Sequence, residues 1–233
     1  MKLLKAIGIP ALAVCVLGMT GCSSMNNTGK GALIGGGGGA GVGAALGALI
    51  GGGKGAAIGA GIGAAVGAGA GTLIGRKMDK QQKELQEQLA QQAQVEKTTD
   101  VNGLQAIKVT FNGGILFPTN GTTLSTGAKT DLSKFAQSLI NNPNTNVQIY
   151  GYTDDTGSLQ VNERVSTGRA DAVRNYLLNS GVAATRLSAE GLPMQDYVAS
   201  NATAEGRAQN RRVEIYITAD KEMIQQAENG TLK

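Results

Sequence analysis

The chain has no histidine and no tryptophan, and aromatic residues make up only 3% of its 233 residues. Without histidine it lacks the side chain that most often shuttles protons near neutral pH and most often binds metal. Few aromatics leave little surface on which nucleic-acid bases could stack. The formal charge is only +4, too small a footprint for nucleic-acid binding. An enzyme is disfavoured, since histidine, a catalytic cysteine and a metal set are all missing. The reading is therefore of a non-enzymatic protein with no cofactor and no metal.

Cysteine is almost absent too: Cys15 and Cys22 are the two in the chain. A disulfide between them would close a tiny loop inside an apolar run. Position explains them better. Lys2 and Lys5 form a basic start, and residues 6–19 form an apolar stretch too short to span a bilayer. Met19-Thr-Gly-Cys22 resembles the bacterial lipobox, with Met where Leu is usual. The expectation is a signal peptide over residues 1–21 and a lipidated N-terminus over 22–30, with Cys22 as the acylated residue. The bland alternative is an ordinary signal peptide with a chance cysteine. Ser23 follows the cysteine; the absence of Asp there favours the outer membrane.

Glycine is what the chain has in excess, with 36 in total. From Gly31 to Gly75 one recurs at every fourth residue without a gap. Gly29-Lys-Gly-Ala-Leu-Ile-Gly35 reappears as Gly53-Lys-Gly-Ala-Ala-Ile-Gly59. On a helix, period four lays the glycines along one slowly winding face, where another backbone can approach closely. Each copy is roughly 30 Å long as helix, about one hydrocarbon thickness. Residues 31–75 thus read as a glycine-zipper helical hairpin that turns at Gly51-Gly-Gly-Lys-Gly55. It resembles the glycine-zipper segments found ahead of some globular domains. A flexible glycine linker is the alternative, but linkers are rich in serine, and here Leu, Ile and Val recur in register. The ladder also offers a contact for homo-oligomers.

Residues 76–103 read as a helical spacer and hinge. Gln, Glu, Lys, Leu and Ala dominate and favour helix. Met78, Leu85 and Leu89 share a face, too few positions for a confident coiled coil, so a solvated helix is expected. Thr98 to Gly103 is the expected hinge.

Residues 104–218 form the globular domain. Alternation marks strands at 106–111 and 147–152, with 115–117 extending or following the first. Ser125 is a plausible cap for a helix running to Asn141. Residues 161–178 are helical and end at Ser180-Gly181; 186–191 is a strand, 203–209 a short helix and 211–218 the last strand. The order β-α-β-α-β-α-β predicts an α+β sandwich with helices on one face of a mixed sheet. Residues 219–233 are expected to be a fraying polar tail.

This domain resembles the carboxy-terminal domain of the OmpA-like (OmpA/Pal/MotB) family. The resemblance rests on Gly151-Tyr-Thr-Asp154, Gly157, Asn162, Arg169-Ala170, Gly181-Val182, Arg186, Gly191, Asn201, Gly206-Arg207 and Asn210-Arg-Arg-Val-Glu-Ile215, all in order. It implies a module that grips peptidoglycan through the diaminopimelate of the stem peptide. Asp154 would accept from the ligand ammonium, and Arg169 would fork onto its carboxylate. Asn162, two helical turns before Arg169, would bond the ligand or position the acid. Arg212 would line or buttress the pocket, whereas Asn210 and Arg211 read as structural. Taken singly, Asp154 reads equally well as an Asx-turn and Arg169 as a solvated charge. Phe117 is followed by Pro118 rather than an acid, Gly168 sits mid-helix, and Tyr197 stands where Pro is usual.

The expected function is an outer-membrane lipoprotein that ties the outer membrane lipid to the wall, its globular domain in the periplasm. The alternative is an oligomeric membrane channel or secretion component anchored by the same domain.

Overall fold

The computed structural model describes residues 66–118 and 121–233. The signal segment, Cys22 and the glycine ladder before Val66 lie outside the described residues.

A long helix, α1 (Ala68–Leu89), leads into a hairpin of β1 (Ala93–Thr99) and β2 (Gln105–Asn112). There follow α2 (Gly113–Leu116), α3 (Thr126–Asn141), β3 (Thr145–Tyr152) and α4 (Leu159–Asn179). A 3₁₀ turn, β4 (Leu187–Leu192), α5 (Ala204–Asn210), β5 (Arg212–Ala219) and α6 (Lys221–Glu228) complete the chain. The sheet order is β1-β2-β5-β3-β4. Only β3 and β4 run parallel; the other pairs are antiparallel. The expected α+β class with a mixed sheet is what the fold shows, with one strand more than expected.

Alternation sets the core face. Ile107, Val109 and Phe111 of β2, Val147 and Ile149 of β3, and Val213, Ile215 and Ile217 of β5 are all buried against the helices. Phe111 meets Phe135 of α3 edge to face, centroids 6.2 Å apart. Caps fix the helix starts: Ser125 Oγ accepts from the Ala128 N–H at 3.0 Å, and Ser158 Oγ accepts from Val161. The Arg186 guanidinium donates to the carbonyls of Leu139, Asn142 and Thr145, tying the end of α3 to the start of β3.

Five local expectations are overturned. The helix of the spacer is not solvated. Ile74, Met78, Leu85 and Leu89 form one stripe on α1 and are fully buried in the domain core. The spacer also ceases to be helix at Leu89, because β1 adds an edge strand whose Val95 faces the core opposite Val109. The supposed hinge is the hairpin turn, where Asp100 Oδ1 accepts from the N–H groups of Asn102 and Leu104 at 2.8 and 2.9 Å. The tail does not fray but forms α6, with Met223, Ile224 and Ala227 buried beside α1. The stretch 115–117 is not strand: Asn112 caps Gly114 and starts the short α2.

Candidate functional site

Strand polarity gathers the site at one end of the sheet. β2 and β3 both pair antiparallel with β5, so both finish where β5 begins. Asp154 lies just past the end of β3, Gly113 just past β2, and Arg211 just before β5.

Two glycines then let α4 approach. Gly151 of β3 and Gly191 of β4 are register partners facing the helix. A Cβ on Gly151 would fall 2.2 Å from the Ser166 carbonyl oxygen, and one on Gly191 2.4 Å from the Thr167 nitrogen. Only hydrogen fits at these places. The close approach buries Ala170 and carries Arg169 to the sheet end. Gly168, odd in mid-helix, has the same kind of reason: a Cβ there would meet the Thr122 methyl at 2.9 Å.

Asp154 is buried. Its Oδ1 accepts from the Thr156 N–H at 2.9 Å, which is the Asx-turn reading made real. Its Oδ2 accepts from Arg211 Nη1 at 2.5 Å. Burial pushes the Asp154 carboxyl up, but the bonds from Arg211 and Thr156 and the Arg211 charge outweigh it and hold it below the usual carboxylate value. The acid is therefore ionised in the neutral range.

Arg169 is 3% exposed, far from the solvated charge that a helix arginine usually is. Its Nε donates to the Gly121 carbonyl at 3.1 Å, and its guanidinium lies 5.3 Å from the centre of the Phe117 ring. Nη1 is buried with no hydrogen-bond partner among the described residues. Burial lowers the Arg169 pKa, the Arg211 charge lowers it further, and the Asp154 charge opposes both. The three groups thus sense one another, yet no ion pair joins Asp154 to Arg169 among the described residues.

Asn162 is buried and donates from Nδ2 to the carbonyls of Thr156 at 2.8 Å and Ser158 at 3.1 Å. It holds the turn that carries Asp154, the positioning half of its expected role.

Arg212 goes elsewhere. It shares strand parity with Glu214 and Tyr216, on the face away from the helices. Its Nε donates to Glu214 Oε1 at 2.7 Å, and its guanidinium lies 3.8 Å from the centre of the Tyr152 ring. Lys108 pairs with the same Glu214 oxygen at 2.9 Å, and the Tyr216 hydroxyl donates to Oε2 at 2.8 Å. Burial raises the Glu214 pKa, but Arg212 and Lys108 outweigh it and keep it a carboxylate. Arg212, expected to line or buttress the pocket, thus has its side chain on the sheet face opposite Asp154 and Arg169. Arg211, read as structural, is the arginine on Asp154. Parity is the signal that finds it: residue 211 falls in step with Val213 and Ile215, on the helix side.

The remaining member of the Asn210-Arg-Arg run shapes a loop. Asn210 Oδ1 accepts from Val198 and Ala199, and its Nδ2 donates to Ala199 and Asn201. The site as a whole offers one carboxylate and two guanidiniums. Asp154 and Arg211 neutralise each other, which leaves the Arg169 charge for an anionic ligand.

Comparison with known proteins identifies the domain that carries this site. Residues 116–211 match the model of the OmpA family, and residues 1–79 match that of the YMGG-like Gly-zipper. The chain is 42% identical over 104 residues to the probable lipoprotein YiaD of Escherichia coli, covering 45% of this chain and 48% of YiaD. It is 42% identical over 112 residues to the peptidoglycan-binding protein ArfA of Mycobacterium bovis, covering 48% of this chain and 34% of ArfA. The chain thus spans about half the length of YiaD and a third of ArfA. A solved structure, the cell wall anchor of the T6SS from Pseudomonas aeruginosa, is 31% identical with a TM-score of 0.51. That likeness covers 58% of this chain and 97% of the anchor.

Proposed function

Because this chain belongs to the OmpA family, we propose that it is an outer-membrane lipoprotein that binds peptidoglycan non-covalently through the diaminopimelate of the stem peptide. The buried, half-partnered Arg169 beside ionised Asp154 is the observation that carries this reading. A free amino-acid end is a zwitterion. Its carboxylate would take Arg169 Nη1, where a bidentate fork replaces an unmade hydrogen bond. Its ammonium would take Asp154 Oδ2, displacing Arg211. Leaving a buried guanidinium nitrogen unpaired is costly, so the ligand recovers free energy that folding left out. The names of ArfA and of the T6SS anchor support the same ligand class.

Titration of the full chain with free stem peptides tests the reading. A diaminopimelate peptide should bind, and a peptide with Lys at that position, which lacks the second carboxylate, should bind at least about tenfold more weakly. Equal affinities would remove diaminopimelate as the ligand. Cys22 would carry the lipid that ties this domain to the outer membrane. Cys22→Ala should then lose acylation and its partition with membranes; unchanged lipid labelling would overturn that anchor.

A second reading, an oligomeric channel or secretion component, is favoured by the YMGG-like Gly-zipper match and the period-four ladder. Native mass and bilayer conductance of the full chain separate it from a simple tether.

A further inference from the structure

A groove of ≈ 620 Å³ opens on the sheet face away from the helices. It lies at the same end of the sheet as Asp154 and Arg169. Asn112, Ile115 and Arg212 line it, and Gly113, next to Asn112, donates its N–H to the Arg211 carbonyl at 2.7 Å. The wall of the groove and the wall of the clamp are therefore one run of backbone. Its far side is built by residues 90–94, where α1 turns into β1. That side lies outside the residues that match the OmpA family model.

Its lining says what it can hold. The charged members are Lys108, Arg212, Glu96 and Glu214, two of each sign. Glu214 is already paired with both cations. Both cations are thereby taken, so an anionic ligand finds no free partner among these side chains. The other polar members are mostly amides: Gln91, Gln92, Gln94, Gln209 and Asn112. Amides donate and accept at once, as hydroxyl and acetamido groups need. Two apolar side chains of the lining, Ile115 and Val198, are 39% and 55% exposed. Val198 is held there firmly. Asn210 Oδ1 accepts from its N–H at 2.9 Å, and Arg212 Nη2 donates to the Asp196 carbonyl at 2.9 Å. Asp196 itself takes φ 50°, a left-handed conformation uncommon outside glycine. The volume falls within the range of about 300–1,000 Å³ usual for ligand sites.

We propose that this groove takes the uncharged amino-sugar portion of the wall polymer whose stem peptide enters the clamp. This rests on the peptidoglycan reading above and adds a second subsite to it. The acetamido methyl and the sugar C–H faces meet Ile115 and Val198, and the hydroxyls meet the amides.

The test is calorimetry on the full chain with two probes: the free stem peptide, and the same peptide bearing its N-acetylglucosaminyl–N-acetylmuramyl disaccharide. The wild type should prefer the sugar-bearing peptide by about tenfold. Thr110→Tyr, which fills the groove, should erase that preference and leave the sugar-free affinity unchanged. Gln94→Ala with Gln209→Ala should cut it by about threefold or more. Equal wild-type affinities, or a preference that survives in folded Thr110→Tyr, overturn the proposal. If Thr110→Tyr does not fold, an undiminished preference in the double-alanine variant overturns it instead. A chain that associates through this face, with a self-association that Thr110→Tyr abolishes and no sugar preference, assigns the groove to a second copy. If the sugar-free peptide fails to bind while the free disaccharide binds and is lost in Thr110→Tyr, the clamp reading falls and the groove stands.

Discussion

Arg211 donates from Nη1 to Asp154 Oδ2 at 2.5 Å, while Arg169, the expected partner of Asp154, donates from Nε to the Gly121 carbonyl. The acid of the clamp is thus covered before any ligand arrives. Its cover is the more exposed partner: the Arg211 side chain is 39% exposed against 8% for Asp154.

Arg211→Ala should raise the Asp154 pKa toward the ordinary value. Because the folded pKa is depressed, the pair stabilises the fold above the unfolded carboxylate pKa of about 4. That contribution fades as pH falls through the lower folded value. The half-exposed pair should contribute about 0.5–1 kcal/mol near neutral pH. Denaturant titrations of wild type and variant should therefore differ at pH 7 and converge in strong acid. Curves that stay parallel at every pH would show that Arg211 does not stabilise the ionised acid. Carbon-13 NMR of the Asp154 carboxyl reads the same shift directly.

The clamp itself is probed by Arg169→Ala and Asp154→Ala. A hydrogen bond to a charged group contributes about 1.5–3 kcal/mol, so each should weaken stem-peptide binding roughly ten- to a hundredfold. Arg169→Lys should recover only part, since an ammonium cannot present the planar fork. Asp155→Ala should bind nearly normally. Calorimetry on folded variants decides, and wild-type affinity in either alanine variant would remove that residue from the site.

Most strands and the two central helices were legible because alternation and capping are local signals. Asp154, Asn162 and Arg169 were legible only as an ordered set, since a turn acid and a helix arginine are individually commonplace. What failed was whatever depends on tertiary partners. The stripe of Ile74, Met78, Leu85 and Leu89 is divided when Ile74 is assigned to the glycine ladder, and three remaining positions look like a solvated helix. β1 has one large apolar residue, Val95, because an edge strand needs little more. α6 is polar on average, yet Met223, Ile224 and Ala227 share a face. For Arg211 and Arg212 the family motif marks the pair, and only strand parity tells them apart.

Gly191→Ala should show that the site depends on the close approach of α4. The new Cβ would sit 2.4 Å from the Thr167 nitrogen, and backbone cannot yield as a side-chain end does. Overpacking of this kind costs about 1–3 kcal/mol or more. The denaturant midpoint should fall, and stem-peptide affinity should fall with it, because moving α4 moves Arg169. An unchanged midpoint would mean that the helix is free to shift. Gly127→Ala is the control: a Cβ there meets nothing closer than Ser125 Oγ at 4.0 Å. Alanine also favours helix over glycine by up to about 1 kcal/mol, so this variant should hold or gain stability.

Leu85→Ala separates a packed α1 from a solvated spacer. Leu85 is fully buried among the core residues. Truncating a buried leucine costs about 2–5 kcal/mol, from lost transfer free energy and the cavity left behind. Removing an exposed leucine costs a few tenths at most. The variant should therefore unfold at clearly lower denaturant, in one transition that includes the β3 amides by hydrogen exchange. A second, separate transition for α1 would mean that the helix melts alone and is not part of the core. The outcome bears on function. With α1 built into the domain, the helix that emerges from the glycine ladder cannot swivel at Gly75. The clamp then keeps one orientation relative to α1. Inserting a flexible Gly-Ser stretch just before Ala68 should leave stem-peptide affinity unchanged, because no site residue moves. A loss of affinity on that insertion would show that the site depends on chain before α1.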